Sequence, residues 1–397
     1  MGAYTYLDWA ATTPLGDAAA RAMEPYLVPG RDNIVFGGNA NSLHSSGRAA
    51  FKALEEARAL IARSLGARRP DEVVFTSGAT EADNATLFGV VSALARQAKQ
   101  QGRRDFVPHV ITTAFEHDAI LAPSKVLQSR GVEVTLLTPT RQGFIDPASL
   151  RAAMRDNTVL VSIMAANNEI GTIQPLEELV SIAHAGGALF HSDMVQALGK
   201  CAINLEALGV DAASFSAHKI CGPKGVGVLY LRANTPFDPF LLGGGQEAGR
   251  RSGTQNVCGA VGFAAACEAA CADVEAEAAR LRNLRDYLYA SLIALPGVRS
   301  SVEVAAGSCD HLPTIVNVLV EGFESETLIL RLDFSGYCVS GGSACSSHSL
   351  APSHVLHAIG IAHDEALGSL RISMGRFTTR EDIDGFLIAF NKALNWD

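Results

Sequence analysis

Short apolar runs alternate with helical patterns through the first half of the chain, and this alternation constrains the fold more than any other feature. Four such runs, each followed by polar residues and a helical pattern, span residues 107–114, 132–137, 159–165 and 188–193. Strand-then-helix units of this kind form a mostly parallel sheet with helices on both faces, and ligands bind at the carboxyl ends of its strands. We therefore predict an α/β fold with its functional site at those strand ends.

Polar side chains of the kinds used in catalysis follow these runs and the next one. They are His117, Asn168, Asp193, Ser216, His218 and Lys219. Lys219 lies in residues 214–225, where small residues, hydroxyls and glycines separate two short apolar runs. A partly buried lysine has a poorly solvated ammonium, which lowers its pKa and frees the amine for Schiff-base chemistry. A lysine whose head reaches water by snorkelling is the other interpretation.

Asp193 closes the apolar run 188–193. A carboxylate at a buried strand end is desolvated unless a cation meets it. One charge-assisted hydrogen bond of this kind contributes roughly 1.5–3 kcal/mol. An N-cap for a helix that follows is the structural alternative.

Residues 71–84 predict a strand that ends at Thr76, a glycine-containing turn, and a helix that starts near Thr80. The start of a helix presents unpaired N–H groups and the positive end of its dipole, which together suit a phosphate. A plain N-cap by Ser77 or Thr80, with Glu81 in the first turn, fits the same residues.

The chain has 397 residues, more than one hydrophobic core usually supports. We predict a large α/β domain over residues 15–258 and a smaller α+β domain over 259–397, with residues 1–14 packed on the smaller one. One long helical pattern over 257–295 connects them. Arg371 lies on the last predicted strand, where it would be buried uncompensated without an anion; a local acidic partner is the alternative.

One thiol lies near the middle of a small, polar, glycine-bearing segment, residues 339–349. Reactivity of a cysteine needs exposure and thiolate formation, and this setting offers both to Cys345. An incidental surface cysteine is the alternative. The other seven cysteines are scattered without a C-x-x-C pair, so neither a zinc knuckle nor a disulfide framework is indicated.

The net charge of -9 argues against a surface for nucleic acid or anionic membranes. The N-terminus has no basic segment followed by an apolar stretch, and no apolar run approaches membrane-spanning length. We expect a cytoplasmic protein with small-molecule or protein partners.

Several motifs together resemble those of cysteine desulfurases of the short type similar to NifS and IscS, which are class V aminotransferases with the pyridoxal 5'-phosphate (PLP) transferase fold type I. The Ser-x-His-Lys pattern appears at Ser216, His218 and Lys219, and the resemblance runs from Tyr6-Leu-Asp-Trp-Ala-Ala-Thr-Thr-Pro14 to Gly375-Arg-Phe-Thr-Thr379. Where the family carries Ser-Gly-Ser-Ala-Cys-x-Ser, this chain has Gly341-Gly-Ser-Ala-Cys-Ser-Ser347.

The resemblance implies a role for each residue. Lys219 forms the Schiff base with PLP, Cys345 is the nucleophile, and Arg371 binds the substrate carboxylate with Asn168. The remaining cofactor contacts would be Ala79, Thr80, His117, Asn168, Asp193, Gln196, Ser216 and His218. Thr254, in the glycine-rich segment 243–256, would reach the phosphate of the partner subunit in a homodimer.

The resemblance therefore implies conversion of L-cysteine to L-alanine with a persulfide on Cys345, which supplies sulfur for iron–sulfur clusters or other products through an acceptor protein. Two alternatives stay open: another PLP lyase or aminotransferase, such as a selenocysteine lyase, and a sulfur-trafficking adaptor without catalysis. Two departures from the family lie near the cofactor, Val195 for threonine and Cys221 for tyrosine.

Overall fold

The computed structural model describes residues 4–30, 33–34, 36–342 and 352–395. The helices are α1 (Asp17–Leu27), α2 (Ser45–Ser64), α3 (Ala79–Gln100), α4 (Asp118–Ser129), α5 (Pro147–Ala153), α6 (Leu176–Ala185), α7 (Leu205–Leu208), α8 (Val257–Ala272), α9 (Val274–Ile293), α10 (Ser325–Phe334), α11 (His354–Ala358), α12 (His363–Leu367) and α13 (Arg380–Leu394). The strands are β1 (Thr5–Tyr6), β2 (Val73–Thr76), β3 (His109–Thr113), β4 (Glu133–Leu137), β5 (Thr158–Ser162), β6 (Leu189–Asp193), β7 (Ala212–Ser216), β8 (Gly227–Leu231), β9 (Val298–Ser300), β10 (Ile315–Val320), β11 (Tyr337–Cys338) and β12 (Ser369–Ser373).

The larger sheet has seven strands in the order β2-β8-β7-β6-β5-β3-β4. Its five strands from β7 to β4 run parallel, and β8 pairs antiparallel with both β7 and β2. Most of the buried residues in these strands are apolar, because helices cover both faces of such a sheet, and buried polar side chains such as Asp193 and Ser216 lie at the carboxyl ends. The predicted α/β fold with a mostly parallel sheet is confirmed.

A second group of elements forms a separate hydrophobic core. Its three-stranded antiparallel sheet has the order β12-β10-β9, and α9, α10 and α13 pack around it. Buried side chains of this core include Leu288 from α9, Leu332 from α10 and Phe386 from α13. These elements correspond to the predicted α+β part of the chain.

The N-terminal segment connects the two cores. β1 pairs parallel with β11, Asp8 bridges to Ser373, and Leu7 packs in the second core. The chain then continues to the carboxyl edge of the large sheet, where Thr13 contacts the loop after β7. One short segment thus touches both halves of the molecule.

The helical pattern over 257–295 forms two helices rather than one, because α8 and α9 meet at Asp273 at an angle of 70°. The side chains of α8 pack in the first core and those of α9 in the second. The boundary at residue 258 stays a prediction. Among the described residues no single helix is long and apolar enough to cross a membrane, although α8 and α9 taken together as a bent pair pass that test.

Candidate active site

A cavity of about 490 Å³ opens at the carboxyl edge of the large sheet. It collects residues from the ends of β3, β5, β6 and β7, from the start of α3, from the N-terminal segment and from β12. Ten of the twelve predicted site residues line it: Ala79, Thr80, His117, Asn168, Asp193, Gln196, Ser216, His218, Lys219 and Arg371. Thr254 is exposed and is not among its lining residues, and Cys345 lies outside the described residues.

Lys219 ends a short 3-10 turn, Ala217–Lys219, that follows β7 directly. Its Nζ donates to the carbonyl oxygens of Ala10 at 2.7 Å and Ala11 at 2.8 Å. The amine therefore lies at the cavity against the N-terminal segment, rather than reaching bulk water by snorkelling. Burial, followed by repulsion from Lys219, lowers the pKa of the neighbouring His218 to about 4, so this imidazole is neutral at neutral pH.

Asp193 ends β6 and is 8% exposed. Its Oδ1 accepts a hydrogen bond from the Val195 amide at 2.9 Å, and a turn rather than a helix follows, so the N-cap alternative is wrong. Burial raises the pKa of Asp193, while His117 and Lys219 oppose that rise. A cation bound in the cavity would therefore stabilise the ionised carboxylate further.

His117 is the N-cap of α4, and its Nδ1 accepts from the Ala119 amide at 3.1 Å. This bond places the ring proton of a neutral His117 on Nε2. His117 therefore both caps the N-terminus of α4 and lines the cavity. The preceding Glu116 is fully buried, which raises the pKa of its carboxyl to about 8, so it is mostly protonated at neutral pH.

The anion-binding end of the cavity is the N-terminus of α3. Its N-cap is Gly78, which supplies no side-chain hydrogen bond, so the alternative interpretation of a cap by Ser77 or Thr80 is wrong. Glu81 instead accepts from the Ser77 amide at 2.8 Å and pairs with Arg251 at 2.7 Å. The first N–H groups of a 22-residue helix therefore lack a side-chain cap at the cavity wall.

Close packing behind this turn depends on Gly227, the first residue of β8. A Cβ built there would lie 2.6 Å from backbone atoms of Gly78. An amine, a buried carboxylate and an uncapped helix start thus surround one cavity, and these residues fit the aldehyde, the ring nitrogen and the phosphate of PLP.

Arg371 is 1% exposed and lines the same cavity. Its Nη2 pairs with Asp8 Oδ1 at 2.8 Å and its Nη1 donates to the Asn168 carbonyl at 3.0 Å. Arg371 thus has an acidic partner, as the alternative interpretation holds, but that partner is Asp8, 363 residues away in sequence, and not a local residue. Its Nε has no hydrogen-bond partner within the described residues.

The residue before Asn168 forms an Asx-turn that positions it. Asn167 Oδ1 accepts from the amides of Glu169 at 2.8 Å and Ile170 at 3.1 Å. The turn leaves Asn168 at the cavity wall, with its carbonyl bound to Arg371.

Two residues of the site were missed from the sequence. Asp83 lines the cavity, is fully buried, and lies four residues after Ala79, so helical spacing from the phosphate turn would have found it. Lys200 donates to Gln196 Oε1 at 2.9 Å and follows it by four residues. The chain forms a turn there, and no helical pattern pointed to the contact.

The two departures from the family pattern have different surroundings. Val195 lines the main cavity, as expected. Cys221 adopts a left-handed backbone conformation with φ of 63° and lines a separate cavity of about 60 Å³ beside Lys219. Burial raises the pKa of its thiol, so Cys221 is not poised as a thiolate.

Comparison with known proteins agrees with this geometry. The model of the aminotransferase class-V family matches residues 5–386. A cysteine desulfurase IscS from Dictyoglomus turgidum is 44% identical over 385 residues, 96% of this chain and 91% of the relative. A cysteine desulfurase IscS from Methanosarcina thermophila is 42% identical over 382 residues, 96% of this chain and 90% of the relative.

Among solved structures, a NifS-like protein matches with a TM-score of 0.88 at 36% identity and covers 99% of this chain and 100% of its own. The predicted resemblance and the type I transferase fold are confirmed. Because sequence, fold and cavity agree, we conclude that the chain belongs to the aminotransferase class-V family. Within that family it is one of the cysteine desulfurases, which are PLP-dependent enzymes.

Proposed function

We propose that this chain converts L-cysteine to L-alanine, with PLP held by Lys219 and the sulfur taken as a persulfide by Cys345. The observation that carries the proposal is that Lys219, Asp193 and His117, from three separate elements, line one cavity beside an uncapped helix start. When bound, the cofactor supplies an aldehyde that captures amines and a ring that accepts electrons.

The phosphate end would be held by backbone N–H groups at Ala79 and Thr80, helped by the side chains of Ser216 and His218. Thr254 would bind the phosphate in the other protomer of a homodimer. Its exposure, and its position outside the cavity of its own chain, support that assignment. Subunits would then share each active site.

Asp193 would accept a hydrogen bond from the ring nitrogen and keep it protonated. Gln196 would donate to the ring oxygen, and His117 would lie over the ring with Nε2 free to hold or give a proton, since its Nδ1 is occupied by the Ala119 amide. Each group lies in the cavity wall, and the burial of Asp193 makes its attraction for a cation strong.

Arg371 and Asn168 would bind the α-carboxylate of the substrate. Burial shields the guanidinium from water, and its Nε lacks a partner among the described residues, so a carboxylate would complete its hydrogen bonding. Lys219 Nζ, once released, would accept the proton from the substrate α-carbon and pass it on.

The sulfur step belongs to Cys345, which lies outside the described residues. Its thiolate would attack the substrate sulfur, so that an S–S bond forms while the Cβ–S bond breaks and leaves its electron pair on the substrate carbon. Protonation of that carbon gives alanine, and the persulfide stays on the enzyme. Transfer to an acceptor protein, use in iron–sulfur clusters and a cytoplasmic location stay predictions.

Replacement of the thiol tests the proposal. Cys345→Ala should abolish alanine and sulfide formation from L-cysteine while the visible absorbance of the bound cofactor persists. Cys309→Ala, which removes an exposed cysteine, is the matched control and should leave both unchanged. Undiminished alanine formation by Cys345→Ala would overturn the proposal in favour of another PLP lyase or aminotransferase.

Mixing of two inactive variants tests the shared site. Lys219→Ala and Thr254→Ala chains, refolded together, should regain activity, because a mixed dimer contains one site with both native residues. No recovery in dimers shown to be mixed would place Thr254 outside the partner's site.

A further inference from the structure

The side-chain amide of Gln196 has a hydrogen-bond acceptor on one side and a hydrogen-bond donor on the other. Its Nε2 donates to the Ala10 carbonyl at 3.0 Å, and its Oε1 accepts from Lys200 Nζ at 2.9 Å. The Ala10 carbonyl can only accept, and Lys200 can only donate while it is protonated, so with Lys200 protonated the amide can have only this orientation. If the amide were flipped, its oxygen would face the Ala10 carbonyl oxygen and its N–H groups would face the Lys200 ammonium.

Ala10 connects this amide to Lys219. The same Ala10 carbonyl accepts from Gln196 Nε2 and from Lys219 Nζ, so Lys200, Gln196, Ala10 and Lys219 form one continuous chain of hydrogen bonds. Because Gln196 Nε2 carries two hydrogens and Ala10 takes one, the other is available to the cavity that Gln196 lines.

We propose that Lys200 is a positioning residue of the cofactor site: its ammonium fixes the Gln196 amide with the nitrogen toward the cofactor, and its charge opposes a second positive charge at Lys219. The inference rests on the proposed function, since it concerns a site for PLP. Lys200 itself lies outside the lining of the main cavity and acts through Gln196 and through its charge.

The charged surroundings of Lys200 support the second half of the proposal. Burial, followed by repulsion from Lys219, lowers the pKa of Lys200 to about 7. The repulsion is mutual, so protonated Lys200 disfavours a positive charge at Lys219 by the same amount. Other titratable groups also interact with Lys200 or line the small cavity with it. They are Cys201 on its own turn, His218 and Cys221 after β7, Glu277 on α9, Arg371 on β12 and Arg376 after it.

A pH titration of the visible absorbance of the bound cofactor tests the charge. The absorbance reports protonation of the nitrogen that joins Lys219 to the cofactor. Lys200→Met removes the positive charge and should raise the midpoint by at least about half a pH unit. Lys200→Arg keeps the charge and should place the midpoint at or below that of the wild type. Lys200→Gln is a second neutral variant should Lys200→Met not fold.

Lys99→Met is the matched control, because Lys99 is exposed in the last turn of α3, about 30 Å along the helix from the cavity. It should leave the midpoint unchanged. Equal midpoints in the wild type and both neutral Lys200 variants, or equal shifts in Lys200→Met and Lys200→Arg, would overturn the electrostatic role. A merely structural lysine would not order the variants by charge.

A double-mutant cycle on cofactor affinity tests the orienting role. Lys200→Met should weaken PLP binding about threefold to tenfold, the effect of one lost orienting hydrogen bond of about 1 kcal/mol. In a Gln196→Met background the same change should cost less than about twofold, because no amide remains to be oriented. Equal losses of PLP affinity in the wild-type and Gln196→Met backgrounds would contradict the orienting role of Lys200. A wild type that gains no visible absorbance with PLP would instead refute the proposed function.

Discussion

Two buried arginines show the difference between an ion pair that stabilises the fold and one that serves a site. Arg58 in α2 donates through Nε to Glu55, through Nη1 to the Val73 carbonyl, and through both Nη atoms to Glu247. Every guanidinium nitrogen has a partner, and Glu247 also accepts from the Phe75 amide. The Arg58–Glu247 pair therefore joins α2, β2 and the segment after β8 through hydrogen bonds.

Arg371 is more deeply buried than Arg58, but its hydrogen bonding is incomplete. It pairs with Asp8, whose side chain is 18% exposed, and its Nε has no partner in the described part of the chain. Two further buried carboxyl groups share this property within the described residues. Asp83 lines the cavity and lies 3.6 Å from His191 Nε2 and near the Ser214 hydroxyl, without a hydrogen bond of ordinary geometry, and Glu116 Oε2, beside His117, also lacks a partner. Buried polar groups normally find partners, so incomplete bonding around a cavity indicates where a ligand completes it.

We expect the largest effect, a loss of stability, from replacement of Arg58. Arg58→Met leaves the buried carboxylate of Glu247 without its cation, so the free energy of unfolding should fall by about 3–5 kcal/mol. Chemical denaturation measures it. The activity of the folded fraction should stay near that of the wild type, because Arg58 does not line the cavity. Arg96→Met, which breaks an exposed pair with Asp238, is the control and should cost no measurable stability.

Arg371 should show the reverse pattern. Arg371→Met should lower kcat/KM for L-cysteine about 100-fold, because the substrate carboxylate loses a charged two-point partner. Stability should fall by only about 1 kcal/mol, since Asp8 is partly exposed and water can solvate it. Steady-state kinetics and denaturation, measured on one preparation, check both. A loss of stability as large as that of Arg58→Met would remove the distinction between the two pairs.

The buried carboxyl of Glu116 should make the stability of the protein depend on pH. Its pKa rises from an ordinary 4.5 in the unfolded chain to about 8 in the folded protein through burial, so the folded state holds a proton that the unfolded state releases. Stability from this group is therefore lost as the pH rises through that window, at up to about 1.4 kcal/mol per pH unit. Glu116→Gln mimics the neutral acid, and the difference in unfolding free energy between wild type and variant should grow with pH. A constant difference from pH 5 to 8 would show that Glu116 is ionised in the fold.

The smallest effect concerns Asp8. Asp8→Asn keeps an acceptor for Arg371 but removes the competing negative charge, so the KM for L-cysteine should fall about threefold, or about 0.7 kcal/mol. Steady-state kinetics would show it. An unchanged or higher KM would mean that Asp8 holds Arg371 in place rather than competing with the substrate for it.

Local sequence patterns predicted the elements of the large sheet and the residues at its strand ends. Asp193 and Lys219 could be found because strand, turn and helix signals lie within a few residues of them. The pairing of Arg371 with Asp8 could not be found in this way, because it depends on how a terminal segment packs against a strand 363 residues later. The bend at Asp273 was missed because every residue around it is compatible with a helix, and only packing on two different cores separates α8 from α9.

The roles of the site residues depended on the family resemblance as well as on local pattern. The acidic residues on either side of His117 do not indicate a cavity. Only the fold shows that Glu116 is buried and mostly protonated, and that His117 both caps α4 and lines the cavity. Lys200 was missed because its contact with Gln196 forms within a turn, where no periodicity marks which side chains meet.

The central claim is that the amine of Lys219 and the thiol of Cys345 act on one substrate in succession. Its most direct test is mass spectrometry of the cofactor-loaded protein after a single turnover with L-cysteine, with alanine measured in the same sample. We expect one added sulfur atom on the peptide that contains Cys345 for each alanine released, and neither product from Lys219→Ala. Alanine released without sulfur on that peptide, or sulfur on Cys221 in its place, would contradict it.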